Sequence, residues 1–350
     1  MKSILHHVHK GFSLLALLLF SAFAFGQARA PHPKFQSVTL GDIEVIALSD
    51  GTAEISAHEL LTEKKKGSIS LLLDQAFLKD PVEISINAYL IKLSGKLVLV
   101  DTGSGELFGA SGGQLIASIK QAGFSPDSVT DILITHIHLD HSGGLVAKGM
   151  MNFPNATVHV NQKEIDFWSA HELPAKGEVA GISANRGAYL AMQPYLKAGK
   201  VKTFKDGASI FPEINAVEFA GHTPGHTVFV LQSKGEKLVF WGDLIHVATV
   251  QLHHPDLLNG YDSDQQQAIL QREKAYKMAA TEGYLIAADH ISFPGIGRLG
   301  RGRPLLMGTG TLYGPGQESL SAAQHSLCVT CPASLGIQAD TLKYYNAKNC

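Results

Sequence analysis

The chain has 350 residues, of which 45% are hydrophobic, and a formal net charge of −2. That length suits one large domain or two small ones, with ample material for a core. The near-neutral balance excludes a charge-rich disordered chain and a basic nucleic-acid binder, and it names no partner by electrostatics.

The start of the chain reads as a targeting segment. Lys2, His6, His7, His9 and Lys10 make a polar, basic beginning, and an apolar run follows from Phe12 to Phe25. Small residues then offer cleavage sites at Ala24-x-Gly26 or Ala28-x-Ala30, so residues 1–30 are expected to be a signal peptide cut near 26 or 30. The run falls short of the about twenty residues a membrane span requires. The mature protein is therefore expected to be exported, periplasmic or extracellular, without stable membrane insertion.

Beyond it, β-rich runs appear at Ser37–Leu48, Asn87–Leu93 and Lys96–Val100. Leu115, Ile116, Ile119 and Ala122 recur at steps of three and four, which predicts a helix. Asp131–Thr135 and Thr157–Val160 read as strands, and Gln162–His171 and Asp264–Thr281 as helices. Further strands are expected at Ala216–Phe219, Val228–Gln232, Lys237–Trp241 and Tyr284–Ala287. Strands in two sets among helices suggest a layered α/β domain over residues 31–300.

The chemistry concentrates in Thr135-His-Ile-His-Leu-Asp-His-Ser-Gly-Gly144, on the loop leaving an apolar strand. His136, His138, Asp140 and His141 put three imidazoles and a carboxylate on one loop. Two imidazoles one residue apart can converge on one ion, and the Asp-His pair beyond can hold a second. Imidazole with carboxylate suits zinc or a neighbouring first-row metal. His222, Asp243 and Asp289-His290 each follow a further apolar strand, the same placement repeated. Taken singly each would be a turn or a core histidine; together they read as ligands.

This array, His136-x-His138-x-Asp140-His141 with His222, Asp243 and His290, resembles the metallo-β-lactamase superfamily in its dinuclear form. Within it, the segment around Trp168, the run Gly221-His-Thr-Pro-Gly-His-Thr227 and Ile291–Gly297 look most like the methyl parathion hydrolases, relatives of the quorum-quenching lactonases. The resemblance implies an αββα sandwich and a hydrolase with two divalent metal ions, zinc first, with cobalt, manganese or iron as alternatives. It implies His136, His138 and His222 on one metal and Asp140, His141 and His290 on the other, with Asp243 bridging. Asp140 and Asp243 would thus serve the reaction directly, and a metal-bridging hydroxide would attack a phosphotriester, lactone or ester. A β-lactamase-type amide hydrolase and a metal-binding paralogue without catalysis are the alternatives. The implied partner is a small-molecule substrate, with no nucleic acid; a homodimer is compatible with this.

Four other residues are weighed. Asp101-Thr-Gly103 also resembles an aspartic-protease signature, but no second such triplet occurs to share a proton. In superfamily relatives an aspartate there supports the metal loop from behind. His226 is either a similar support or a turn residue. Phe108 and Trp168 are candidates for an apolar substrate pocket, and Ala184-Asn185 stands where methyl parathion hydrolases carry two phenylalanines.

The end of the chain departs from these relatives. Arg301–Gly314 has poor apolar periodicity, and the three cysteines, Cys328, Cys331 and Cys350, all follow it. Read one base out of frame with permitted codons, Arg303–Gly314 yields Gly-His-Tyr-Leu-Trp-Val-Pro-Val-Pro-Tyr-Thr, close to the final strand of the relatives. Residues 301–350 are therefore expected to be an out-of-frame, disordered tail in which the cysteines bind nothing.

Overall fold

A computed structural model of the chain describes residues 35–109, 111–170, 182–300 and 305–306. The expected signal peptide and most of the expected tail, its cysteines included, lie outside the described residues, as do the side chains of Ala184 and Asn185. No described helix is long and apolar enough to cross a membrane.

Two seven-stranded sheets form the body, and in each the spatial order follows the chain order. The first holds β1 (Phe35–Leu40), β2 (Ile43–Ile55), β3 (Val82–Leu93), β4 (Lys96–Val100), β5 (Asp131–Leu133), β6 (Thr157–Asn161) and β7 (Val201–Phe204). The second holds β8 (Ser209–Phe211), β9 (Ile214–Glu218), β10 (Thr227–Ser233), β11 (Glu236–Phe240), β12 (Leu285–Ala287), β13 (Ile296–Leu299) and β14 (Leu305–Leu306). The longer helices are α1 (Ser68–Gln75), α2 (Leu115–Gln121), α3 (Gln162–Ala170), α4 (Ile182–Lys197) and α5 (Gln265–Glu282).

Alternation along the strands explains the layers. On β2, Val45 and Ala47 face the second sheet, packing in one core with Phe229, Leu231 and Phe240. Ile46 and Leu48 face the other way, into a core with Leu115 and Ile119 of α2 and Ala188 and Met192 of α4. Val228, Val239 and Ile286 on the outer face of the second sheet meet Ala275, Tyr276 and Ala279 of α5. A period of two on each strand thus supplies both faces of a sheet buried on both sides. The result is a four-layer αββα sandwich.

Three local differences from the sequence reading have physical causes. The run Ser37–Leu48 is two strands, because Gly41 at φ +57° turns the chain between β1 and β2. β3 begins at Val82 rather than Asn87, since the longer β2 pairs with it down to Ile55 and Val82. β14 pairs with Arg298 and Leu299 of β13, so the sheet includes two residues past the expected boundary at 300.

Candidate metal centre

β4, β5 and β6 run parallel in the first sheet, and β11 with β12 in the second. Their carboxyl ends meet at one edge of the sandwich, where open α/β sheets place ligands. Asp101 leaves β4, the His136–His141 loop leaves β5, Asp243 leaves β11 and Asp289-His290 leaves β12. His222 comes in on the turn between β9 and β10.

The sequence-predicted residues form two groups. His136, His138, His222 and Asp243 each offer a donor atom within 4.8 Å of the others, and so do Asp140, His141 and His290. Asp243 stands between them. Its Oδ2 lies 3.6 Å from His136 Nε2 and 3.3 Å from His222 Nε2. Its Oδ1 lies 3.1 Å from His141 Nε2 and 3.0 Å from His290 Nε2. One carboxylate oxygen faces each group.

What stands behind each ring decides which nitrogen is free. His222 Nδ1 is 2.9 Å from Asp262 Oδ1, and His290 Nδ1 donates to the Ser85 carbonyl at 2.9 Å. His141 Nδ1 meets Asp101 Oδ2 at 3.0 Å and Asp289 Oδ2 at 3.1 Å. Thr135 Oγ1 donates to Asp101 Oδ2 at 2.7 Å, so it accepts from His136 Nδ1 at 3.0 Å. An acceptor at Nδ1 draws the ring proton there and leaves Nε2 bare for a metal. His138 differs, turning its Nδ1 toward His222 Nε2 at 3.0 Å.

The site's electrostatics suit cations. Burial pulls His222 and His290 down, yet Asp243 with Asp262 raises the first to about 9, and Asp243 with Asp140 raises the second to about 9. Burial also opposes charging His141, but Asp243, Asp140 and Asp101 hold it well above the ordinary range. Burial lowers His136 and His138 well below it. His136 Nε2, His141 Nε2 and Asp243 Oδ1 are buried without a hydrogen-bond partner. Unpaired donor atoms aimed at a common point, in a field that favours positive charge, fit divalent ions.

The supporting frame is built from few residues. Asp101 takes φ +56°, a left-handed conformation that aspartate tolerates better than most, and accepts from the Thr135 N–H at 2.9 Å. Gly242 takes φ +54°, and a Cβ there would fall 2.8 Å from His226 Nε2. His226 Nε2 accepts from the Asp243 N–H at 3.0 Å, and its Nδ1 faces the Phe219 carbonyl at 3.2 Å. It therefore positions Asp243, and burial pushes it down to about 3, keeping it neutral. Trp168 is buried edge-on to His138, with ring centroids 5.8 Å apart. Phe108 is half-buried, its Cβ against Gly112.

Three buried residues, Glu164, Asp262 and His246, escaped the sequence reading of the site, and Asp289, named there beside His290, stands behind a ligand candidate. Glu164 accepts from the Ile137 N–H at 2.8 Å, the Gly225 N–H at 2.7 Å and Trp168 Nε1 at 3.1 Å, tying both loops of the first group together. Asp262 braces His222 and also accepts from the buried Arg272 at 3.0 Å. Burial and the Asp101 carboxylate push Asp289 above the usual carboxylate range, and its Oδ2 stands 3.1 Å behind His141 Nδ1. His246 is 2% exposed, with Nε2 3.1 Å from Asp243 Oδ2. An imidazole inside the apolar run Leu244-Ile-His-Val247, three residues past a ligand candidate, was a signal that could have found it. His253 and His254 are exposed.

The metallo-beta-lactamase superfamily model matches residues 82–301. The chain belongs to this superfamily. Among solved structures it is similar to AbOPH, a hydrolase of the β-lactamase superfamily, at 33% identity. That likeness covers 79% of this chain and 97% of the other, with a TM-score of 0.73. It is 30% identical to AidC, a dizinc quorum-quenching lactonase in complex with a product, over 77% of this chain and 95% of that one, with a TM-score of 0.69. The N-acyl homoserine lactonase AiiB of Agrobacterium fabrum is 30% identical over 80 residues. That stretch is 18% of this chain and 29% of AiiB, so the match spans under a third of this curated relative.

Proposed function

We propose that this superfamily member is an exported dinuclear metal-dependent hydrolase that opens lactones or related carboxylic esters. The carrying observation is Asp243, whose two oxygens face two separate sets of histidine nitrogens. His136, His138 and His222 would hold one ion, and Asp140, His141 and His290 the other. Two divalent ions, zinc first and cobalt, manganese or iron as alternatives, would supply Lewis acidity and an activated water. The chain's own part is placement. Asp262, Ser85 and the Asp101–Asp289 pair occupy the Nδ1 sides of His222, His290 and His141, so each presents Nε2 inward.

In the hydrolysis, water's oxygen bonds to the carbonyl carbon, the ring C–O bond breaks, and a proton passes to the departing alkoxide. Asp140, with its side chain 17% exposed against 3% for Asp243, stands on the open side and is our candidate to carry that proton. Trp168 supplies an apolar wall beside His138. The lactone reading draws on the likeness to AidC and AiiB. A phosphotriester is the second reading, favoured by the segments around Trp168 and Ile291–Gly297 that look like the methyl parathion hydrolases. The apolar Phe12–Phe25 run supports export.

The test is a panel of homoserine lactones, aryl esters, paraoxon-like phosphotriesters and a cephalosporin, run with defined metals. Lactones should give the highest kcat/KM. Phosphotriesters in first place would favour the second reading. A cephalosporin in first place, or two bound ions with no turnover of anything, would overturn both.

A further inference from the structure

His136 and His138 come from the loop after β5, and His222 enters 84 positions after His138 on the turn between β9 and β10. Ligands from two such distant segments hold one ion tightly only if the fold sets the segments side by side beforehand. One side chain touches both.

Glu164, on the first turn of α3, is fully buried. Its Oε2 accepts at 2.8 Å from the N–H of Ile137, the residue between His136 and His138. Its Oε1 accepts at 2.7 Å from the N–H of Gly225, on the turn that carries His222 and His226. That turn is shaped to receive it: a Cβ at Gly225 would fall 2.8 Å from the Glu164 nitrogen and 2.9 Å from its Cγ. Among the described residues no cationic side chain pairs with this carboxylate. Its partners are the two peptide N–H groups and the indole Nε1–H of Trp168 at 3.1 Å. A buried carboxylate without a counter-ion is costly, and a divalent cation held by the two loops it braces supplies the missing positive charge.

The other set of ligands rests on different supports. His290 Nδ1 faces the Ser85 carbonyl, and Asn87 Nδ2 donates to the Ala288 and Ile291 carbonyls on either side of that histidine. Thr102 donates through its N–H and its Oγ1 to the His141 carbonyl, at 2.7 and 2.9 Å. These ties come from β3 and from the chain after β4, and none of them passes through α3.

We propose that Glu164 is a positioning residue for one ion only. It sets how tightly the ion of His136, His138 and His222 is held and leaves the ion of Asp140, His141 and His290 untouched, so the two affinities can be changed separately. The proposal rests on the dinuclear reading above.

Zinc affinity of the full chain, measured by competition with a chromophoric chelator, tests it. His290→Ala should leave one ion, on the three histidines, and His222→Ala one ion on the other set. Adding Glu164→Gln replaces one carboxylate oxygen by an NH2 and sets donor against donor at one loop. It should weaken zinc about 10–100-fold in the His290→Ala chain and leave it unchanged in the His222→Ala chain. Glu164→Asp keeps the charge but is one methylene too short to meet both loops, and it should give the same split; circular dichroism checks the fold of each chain. Equal weakening in both backgrounds, as general loosening would give, overturns the proposal, and so does unchanged affinity in the His290→Ala chain. An unsubstituted chain that binds fewer than two equivalents of zinc sinks the dinuclear reading and this one together. Two equivalents without the split sink this one alone.

Discussion

Replacing Asp243 with asparagine removes one negative charge and substitutes an NH2 for one of two oxygens. Those oxygens face His136 and His222 on one side and His141 and His290 on the other, at 3.0–3.6 Å. Whichever way the amide turns, one set loses its acceptor, and both ions lose half of a shared charge. Attraction between unit charges at about 4 Å and an effective dielectric near 20 is about 4 kcal/mol. If half of that survives the neighbouring charges, each ion is held about 30-fold less tightly, or about 10³-fold for the pair, at about 1.4 kcal/mol per tenfold. Asp101→Asn touches His141 from behind and should cost about 10–100-fold. The assay is kcat/KM at limiting metal, with metal content measured on the same samples. Equal and small losses at the two positions would refute the bridging role of Asp243.

Other outcomes follow from the same geometry. Asp262→Asn removes the negative charge beside Arg272, which is 1% exposed and otherwise donates to backbone carbonyls, and should destabilise the protein by about 3–5 kcal/mol in chemical denaturation. It should also weaken metal binding about 10–100-fold through His222, which competition with a chelator measures. In the metal-free protein His222 and His290 sit at about 9, above the ordinary value near 6.5. Their protonation therefore stabilises that form fully below about pH 6.5, and the benefit is lost as pH rises through about 9. Thermal melts of the metal-free protein should show Tm falling across that window, and metal affinity should rise over the same range; a flat Tm would count against the charged cluster.

The strands and the candidate ligands were legible because both leave local marks. β5 is an apolar run ending at the His136 loop, and β11 and β12 end the same way before Asp243 and His290, so period and punctuation sufficed. The groups behind the ligands were not legible. Asp262 stands forty positions after His222, just ahead of helix α5, and is no neighbour of it in sequence. Glu164 looks like any polar residue of an amphipathic helix, although it is fully buried and accepts three N–H groups. Only packing of α3 against both metal-bearing loops gives it that role. His246 left a trace, an imidazole in an apolar run, but its place against Asp243 is set by how the chain after β11 packs back on the site. Long-range pairing carries that information, and the local pattern does not.

Metal analysis of the purified full chain, paired with hydrolysis measured on the same preparation, tests the central claim most directly. Two equivalents of divalent metal per chain are expected, removed by a chelator together with activity and restored by zinc, cobalt or manganese. Activity that persists with no bound metal would contradict the account.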